Sequence, residues 1–441
     1  MTGPQDAARL RRDIGYVGAA FLVLNSVIGA GIFALPGKVA ASAGLFSPWL
    51  FLIVGVLFLS VVLTFTELTS YYDRTGGPIL YATDAFGPTV GFATGWLIFL
   101  ARMTAFAANA NVMAAYLASL WDPLGTELAR AAIITLVTVG LTWVNILGVK
   151  DGVRTLGVLT FLKVIPLLLL VLLGLQHVSG ATLIPGGNFH VEDLGGTTLL
   201  LIYAYVGFET IGVTAGETRA ARSTVPSALI RTMLLTAALY FLIVLVFVAV
   251  IPANEYAGAT LVDLGRALAG PVGALVITLA AVFSIGGNLA GSILAAPRLL
   301  FALAERRMIP QPLARIHDRY ATPYRAILVM GTMALVAGLS SGFVELAIGS
   351  SVVRLIGYII CIGALPVIRR KADAETREQA LRLPGGYAIP LLAFFVCAWL
   401  VAQSTADDWM RVSVLLAIGI ALFVIEKWYY GRHQSGGNRS E

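Results

Sequence analysis

Ile14-Gly-Tyr-Val-Gly-Ala-Ala-Phe-Leu-Val-Leu-Asn-Ser-Val-Ile-Gly-Ala-Gly-Ile-Phe-Ala-Leu-Pro-Gly-Lys38 is long and apolar enough to cross a bilayer, yet Gly29-Ala-Gly31 interrupts it at its centre. Lipid offers no hydrogen-bond partners, so a spanning helix normally satisfies every backbone group within itself. Each glycine in a helix interior costs about 1 kcal/mol relative to alanine. Two of them at mid-membrane depth leave two readings open. Either small residues let another helix pack closely, or the helix unwinds and its bare peptide groups line a cavity.

Composition puts the rest of the chain in the same solvent. Of 441 residues, 58% are hydrophobic and 12% charged, and mean hydropathy is +0.86. A soluble domain carries roughly 25% charge. Apolar windows of about 20 residues predict an all-α polytopic protein with twelve spans, at 14–38, 46–71, 88–118, 130–148, 154–176, 195–216, 226–251, 271–304, 324–342, 344–368, 387–405 and 409–430. The windows 88–118 and 271–304 are long enough to tilt or to project beyond the bilayer. One integral domain, 14–430, is expected between a polar arm, 1–13, and a tail, 431–441. The arm carries arginines and no short apolar core, so no cleavable signal is expected.

Basic residues set the orientation. With the N-terminus inside, Lys38, Arg130, Arg266, Arg354 and Arg411 fall on the far side and Arg102 and Lys163 within the membrane, while the other 23 of the 30 Lys and Arg face the cytoplasm. The bias predicts cytoplasmic N- and C-termini, and the short loops point to a prokaryotic inner membrane. It also accounts for the net charge of +6 without a nucleic-acid partner. Cys361 and Cys397 lie in apolar spans and offer neither a disulfide framework nor metal-ligand spacing. The four histidines, at 177, 190, 317 and 433, sit in loops or at ends. No metal, cofactor or catalytic cluster is expected, so the residues argue against an enzyme. A continuous polar lining, as an ion channel needs, is also missing. In the loop 305–323, Leu313 and Ile316 alternate with Arg315 and Arg319, which predicts an amphipathic surface helix.

A second interrupted span follows five helices later. Leu200-Leu-Ile-Tyr-Ala-Tyr-Val-Gly-Phe-Glu-Thr-Ile-Gly-Val-Thr-Ala-Gly-Glu217 holds three glycines and the carboxylate Glu209. Paired interruptions in corresponding halves point to a transporter site between inverted repeats. The halves would be 14–176 and 195–368, with accessory helices over 387–430.

Four segments resemble the amino acid–polyamine–organocation superfamily of secondary transporters, across roughly residues 14–370. They are Asn25-Ser-Val-Ile-Gly-Ala-Gly-Ile-Phe-Ala-Leu-Pro36; Arg74-Thr-Gly-Gly-Pro-Ile-Leu-Tyr81 with Phe86-Gly-Pro-Thr-Val-Gly91 and Gly95-Trp96; Val206-Gly-Phe-Glu-Thr210 with Glu217 and Pro226; and Asn288-Leu-Ala-Gly-Ser292 followed by Arg298 and Met308-Ile-Pro310. The resemblance implies the five-plus-five inverted repeat of the sodium-coupled leucine transporter, with helices one and six discontinuous, and amino acids or amines as cargo.

An amino acid needs donors for its carboxylate and acceptors for its ammonium. The break spanning Val27, Ile28, Gly29, Ala30, Gly31 and Ile32 supplies both. Amides of Ala30 and Gly31, with Ile32 beside them, suit the carboxylate at a positive helix end. Carbonyls near Val27, and near Tyr203 and Val206 in span six, suit the ammonium. The resemblance places Tyr203 where relatives have an aromatic gate, with Phe208 as a further contact; plain core packing is the competing reading for both. Asn288 is expected either to touch the cargo or to bond a neighbouring helix, and Asn109 and Asn111 are weaker candidates.

Lys163 stands mid-span with no carboxylate nearby, a costly position for an ammonium. It matches a lysine that, in sodium-independent members, occupies the place of a sodium ion. The amine would bridge carbonyls near Gly29 and the hydroxyl of Ser292, and proton loss would loosen helix one. A fixed brace that never titrates is the alternative. Glu209 is either a group that titrates during transport or an anchor for the broken segment. Arg102 is expected to pair with Glu209 or Glu67, or to bind an acidic group; Glu67 is otherwise expected to hold a loop or an arginine at the inner mouth. Together these predict a sodium-independent transporter of amino acids working by alternating access, with protons as coupling ion. An amino acid exchanger and a cationic amino acid or polyamine permease are the alternatives.

Overall fold

A computed structural model describes residues 14–72, 77–148, 152–185, 191–213 and 218–437. The arm 1–13, Arg74, Thr75 and Gly76 of the second motif, Glu217, and 438–441 of the tail lie outside the described residues. The helices are α1 (Tyr16–Val27), α2 (Gly31–Ala34), α3 (Pro36–Ala43), α4 (Ser47–Ser70), α5 (Pro78–Phe86), α6 (Pro88–Ala118), α7 (Glu127–Leu147), α8 (Gly152–Gly174) and α9 (Gly180–Leu183), then α10 (Val191–Ile202), α11 (Thr210–Val213), α12 (Ala221–Val250), α13 (Leu261–Glu305), α14 (Tyr324–Ser340), α15 (Phe343–Lys371), α16 (Ala374–Gln379), α17 (Ala388–Ala402) and α18 (Ala406–Gly437). Nine helical stretches among the described residues are long and apolar enough to cross a membrane, and α14 and α17 are shorter apolar helices. The chain is a polytopic, all-helical membrane protein.

Side chains explain where these helices bend. Proline opens α3, α4, α5 and α6, where its missing N–H costs nothing. In α13, Ala269 (φ −140°, ψ 21°) and Gly270 (φ 62°, ψ −151°) leave helical geometry just before Pro271. A short helix, capped by Thr260 and Asp263, therefore precedes the span predicted to begin at 271. α4 packs along α12, and α6 packs against both α13 and α15. In lipid, such contacts hold by close packing and polar bonds between helices.

Two expectations are corrected here. The loop 305–323 is irregular, with one short 3₁₀ turn over Gln311–Ala314, because Pro310, Pro312 and Pro323 break any longer helix. Arg354 is not on the far side. It lies within α15, 3% exposed, so it joins Arg102 and Lys163 among the basic residues inside the helical body.

Candidate functional site

Both interrupted spans are broken. α1 ends at Val27, Ile28 turns out of helical geometry (φ −78°, ψ 83°), and the chain re-enters a helix at Gly31. Between α10 and α11, residues 203–209 make only turns, and Gly207 has φ +109°. The breaks touch. A Cβ on Gly31 would lie 2.7 Å from Cα of Ala204, and one on Gly207 would lie 2.6 Å from the carbonyl oxygen of Ser26. Glycine permits this approach, and at 207 it also permits the left-handed backbone. The start of the first broken span is also tied to the end of the second, since Arg219 donates its N–H to the Ile14 carbonyl at 2.8 Å.

The breaks leave peptide groups unpaired. Among the described residues, the amides of Ala30, Gly31 and Ile32 donate to no backbone carbonyl, and the carbonyls of Tyr203 and Val206 accept no backbone N–H. A cavity of about 180 Å³ adjoins them, lined by Val27, Gly29, Ala30, Gly31, Tyr203, Val206, Asn288 and Ser292, and also by Asn25, Ser26, Arg102, Asn109, Thr210 and Arg354. Drug-sized pockets run to roughly 300–1,000 Å³; this one suits a small polar molecule.

A chain of side-chain hydrogen bonds crosses the cavity wall. The Tyr203 hydroxyl donates to Asn109 Oδ1 at 2.7 Å, and Asn109 Nδ2 donates to Asn288 Oδ1 at 2.7 Å. Asn288 Nδ2 then reaches the Ser26 and Asn25 carbonyls at 3.1 and 3.3 Å. From the other side of α1, Lys163 Nζ donates to Asn25 Oδ1 at 2.9 Å and to the carbonyls of Asn25 and Ile28 at 3.2 and 2.7 Å. The ammonium thus sits at the negative end of a helix, among three acceptors.

Several predicted contacts are displaced. Lys163 does not bridge to Ser292; Ser284, two turns earlier on α13, bonds the Ile28 carbonyl at 3.1 Å. Asn288, one turn before Ser292, takes the Asn25 and Ser26 carbonyls, and Ser292 faces the cavity. The Val27 carbonyl is already taken by the Gly29 amide at 2.9 Å. Ile28, Ile32 and Phe208 are fully buried and do not line the cavity. Phe208 packs among Phe58, Phe65 and Tyr358, with ring centroids 5.4–5.9 Å away.

Glu209 lies behind the cavity wall. Its carboxylate accepts from Arg354 Nη1 at 2.8 Å, from the Tyr358 hydroxyl at 2.6 Å and from the Gly207 amide at 3.1 Å. Arg102 lies 3.7 Å from Glu209 and donates to Thr210 Oγ1 at 2.8 Å. The Arg102–Glu67 pair is not formed. Glu67 takes both oxygens to Arg369, at 2.7 and 2.8 Å, and accepts the Leu383 amide at 3.1 Å. Sequence reading missed Arg354, Asn25, Thr210, Ser284 and Tyr358. For Arg354 the signal was its place near the centre of the run 344–368.

A polytopic helical protein with two abutting helix breaks around a small polar cavity has the architecture of a membrane transporter. The amino acid permease family matches residues 14–424, and the chain belongs to that family, within the amino acid–polyamine–organocation superfamily. It is 29% identical to the serine/threonine exchanger SteT of Bacillus subtilis, over 96% of this chain and 97% of that protein. It is 25% identical to the branched-chain amino acid permease BcaP of the same organism, over 98% and 95%. It is 26% identical to the human cystine/glutamate transporter, over 92% and 82%.

Proposed function

We propose that this protein carries amino acids across a prokaryotic inner membrane by alternating access, without sodium and coupled to protons. In this reading the helices make twelve passes as two inverted five-helix repeats plus two accessory helices, with both termini cytoplasmic. The cargo carboxylate rests on the Ala30 and Gly31 amides, and its ammonium on the Tyr203 and Val206 carbonyls. Tyr203 closes the site, and Glu209 anchors the broken segment through the Gly207 amide.

The observation that carries the reading is Lys163 Nζ, held by three acceptors at the end of α1. A tethered ammonium there does the electrostatic work of a bound cation. Losing its proton removes charge-assisted bonds, each worth about 1.5–3 kcal/mol, and releases α1 from α8. Exchange is the second reading, favoured by the serine/threonine exchanger among the relatives; Lys163 then stays charged and cargo alone drives the return.

Uptake by proteoliposomes separates the two. Stimulation by an inward proton gradient in vesicles without internal amino acid supports symport. An absolute requirement for internal amino acid supports exchange.

A further inference from the structure

The geometry points to a second anion subsite in the cavity, centred on Arg102, which selects amino acids with an acidic side chain. This rests on the transporter reading above and adds the class of cargo.

The argument begins with Glu209, whose carboxylate is already satisfied. Arg354, Tyr358 and the Gly207 amide all lie within 3.1 Å of it. Arg102 is left over. It forms only a longer ion pair with Glu209, at 3.7 Å and beyond hydrogen-bond distance, and its hydrogen bond goes to the neutral hydroxyl of Thr210. Arg102 and Arg354 both line the cavity, whereas Glu209 does not. Two guanidiniums facing one carboxylate leave a positive charge in excess. Among the described residues no further carboxylate pairs with either guanidinium: Lys163 adds charge of the same sign on the far side of α1, and Glu67 is committed to Arg369.

A buried guanidinium that must share its one counter-ion with a second, closer arginine is expensive. Its planar fork is suited to a carboxylate, which a lysine in its place would match poorly. The α-carboxylate of the cargo is provided for by the amides of the α1 break. The group that Arg102 lacks is therefore a second carboxylate, on the cargo side chain. A neutral side chain leaves the charge uncompensated, and a cationic one adds to it. The cavity of about 180 Å³ limits the cargo to a small dicarboxylic amino acid such as aspartate or glutamate.

The test uses the full-length protein in proteoliposomes, each preloaded with the amino acid supplied outside, so that both symport and exchange register. L-glutamate and L-aspartate are compared with their neutral isosteres L-glutamine and L-asparagine, and with L-serine and L-lysine. The acids should be preferred over their amides by about tenfold or more, the worth of a charge-assisted bond. In Arg102→Gln the acid-to-amide ratio should fall toward one. Equal handling of acid and amide by the wild type overturns the subsite, as does an unchanged ratio in Arg102→Gln. Uptake of serine without either acid overturns the subsite alone; no uptake of any amino acid overturns the transporter reading with it. Should Arg102→Gln not fold, the wild-type ratio still decides.

Discussion

Adding one methyl group at Gly31 tests whether contact between the two helix breaks shapes the site. The new carbon would stand 2.7 Å from Cα and 3.0 Å from Cβ of Ala204, where carbon atoms normally rest about 3.5–4.0 Å apart. Ala204 is backbone in the break between α10 and α11, so it cannot swing aside as a long side chain does. The breaks must separate by about 1 Å, at an overpacking cost of about 1–3 kcal/mol. Since 1.4 kcal/mol is tenfold, Gly31→Ala should weaken cargo binding by roughly five- to 150-fold. Radioligand binding to purified protein reads the affinity, and thermal melting in detergent reads the fold. Gly291→Ala is the control: it lines the same cavity from α13, and its Cβ would meet nothing within 4 Å. That variant should melt no lower than wild type, because alanine favours helix by about 1 kcal/mol. Wild-type affinity in Gly31→Ala would show that the contact does not shape the site.

Four further outcomes follow from the same geometry. Lys163→Met strips Asn25 Oδ1 of its partner and should abolish stimulation of uptake by a proton gradient; full stimulation would remove Lys163 from coupling. Gly207→Ala meets both a left-handed backbone and the Ser26 carbonyl, so its melting temperature should drop further than that of Gly31→Ala. Tyr203→Phe leaves Asn109 Oδ1 without its hydroxyl donor, a loss of about 1–3 kcal/mol visible as a lower melting temperature. Glu67→Gln removes the carboxylate that holds Arg369 and the Leu383 amide. Hydrogen exchange should then accelerate over 380–386 while the cavity residues keep their protection.

Features with a local cause could be read from the sequence. Gly29 and Gly31 announced the first break, and Gly207 with its neighbours announced the second, because glycine inside an apolar run has few uses at that depth. Lys163 was conspicuous for the same reason. What failed was pairing. Which serine of α13 meets the Ile28 carbonyl depends on the sliding of two packed helices, and Ser284 and Ser292 lie on similar faces two turns apart. Glu67 does hold an arginine and a loop, as its place near the end of span two suggests, but that the arginine is Arg369, 302 residues away, is a choice no periodicity encodes. Phe208 was misplaced because the turn at Gly207 redirects the residue after it. Arg354 was assigned by a rule for loop charges although its own apolar run placed it in mid-span. That one assignment hid the partner of Glu209, and with it the surplus charge on Arg102.

The most direct measurement is a structure of the protein with an amino acid bound in a lipid nanodisc. The account predicts density in the cavity between the two breaks, with the cargo α-carboxylate within hydrogen-bond distance of the Ala30 and Gly31 amides. Cargo bound elsewhere, or α1 running unbroken through Gly29-Ala-Gly31, would contradict it.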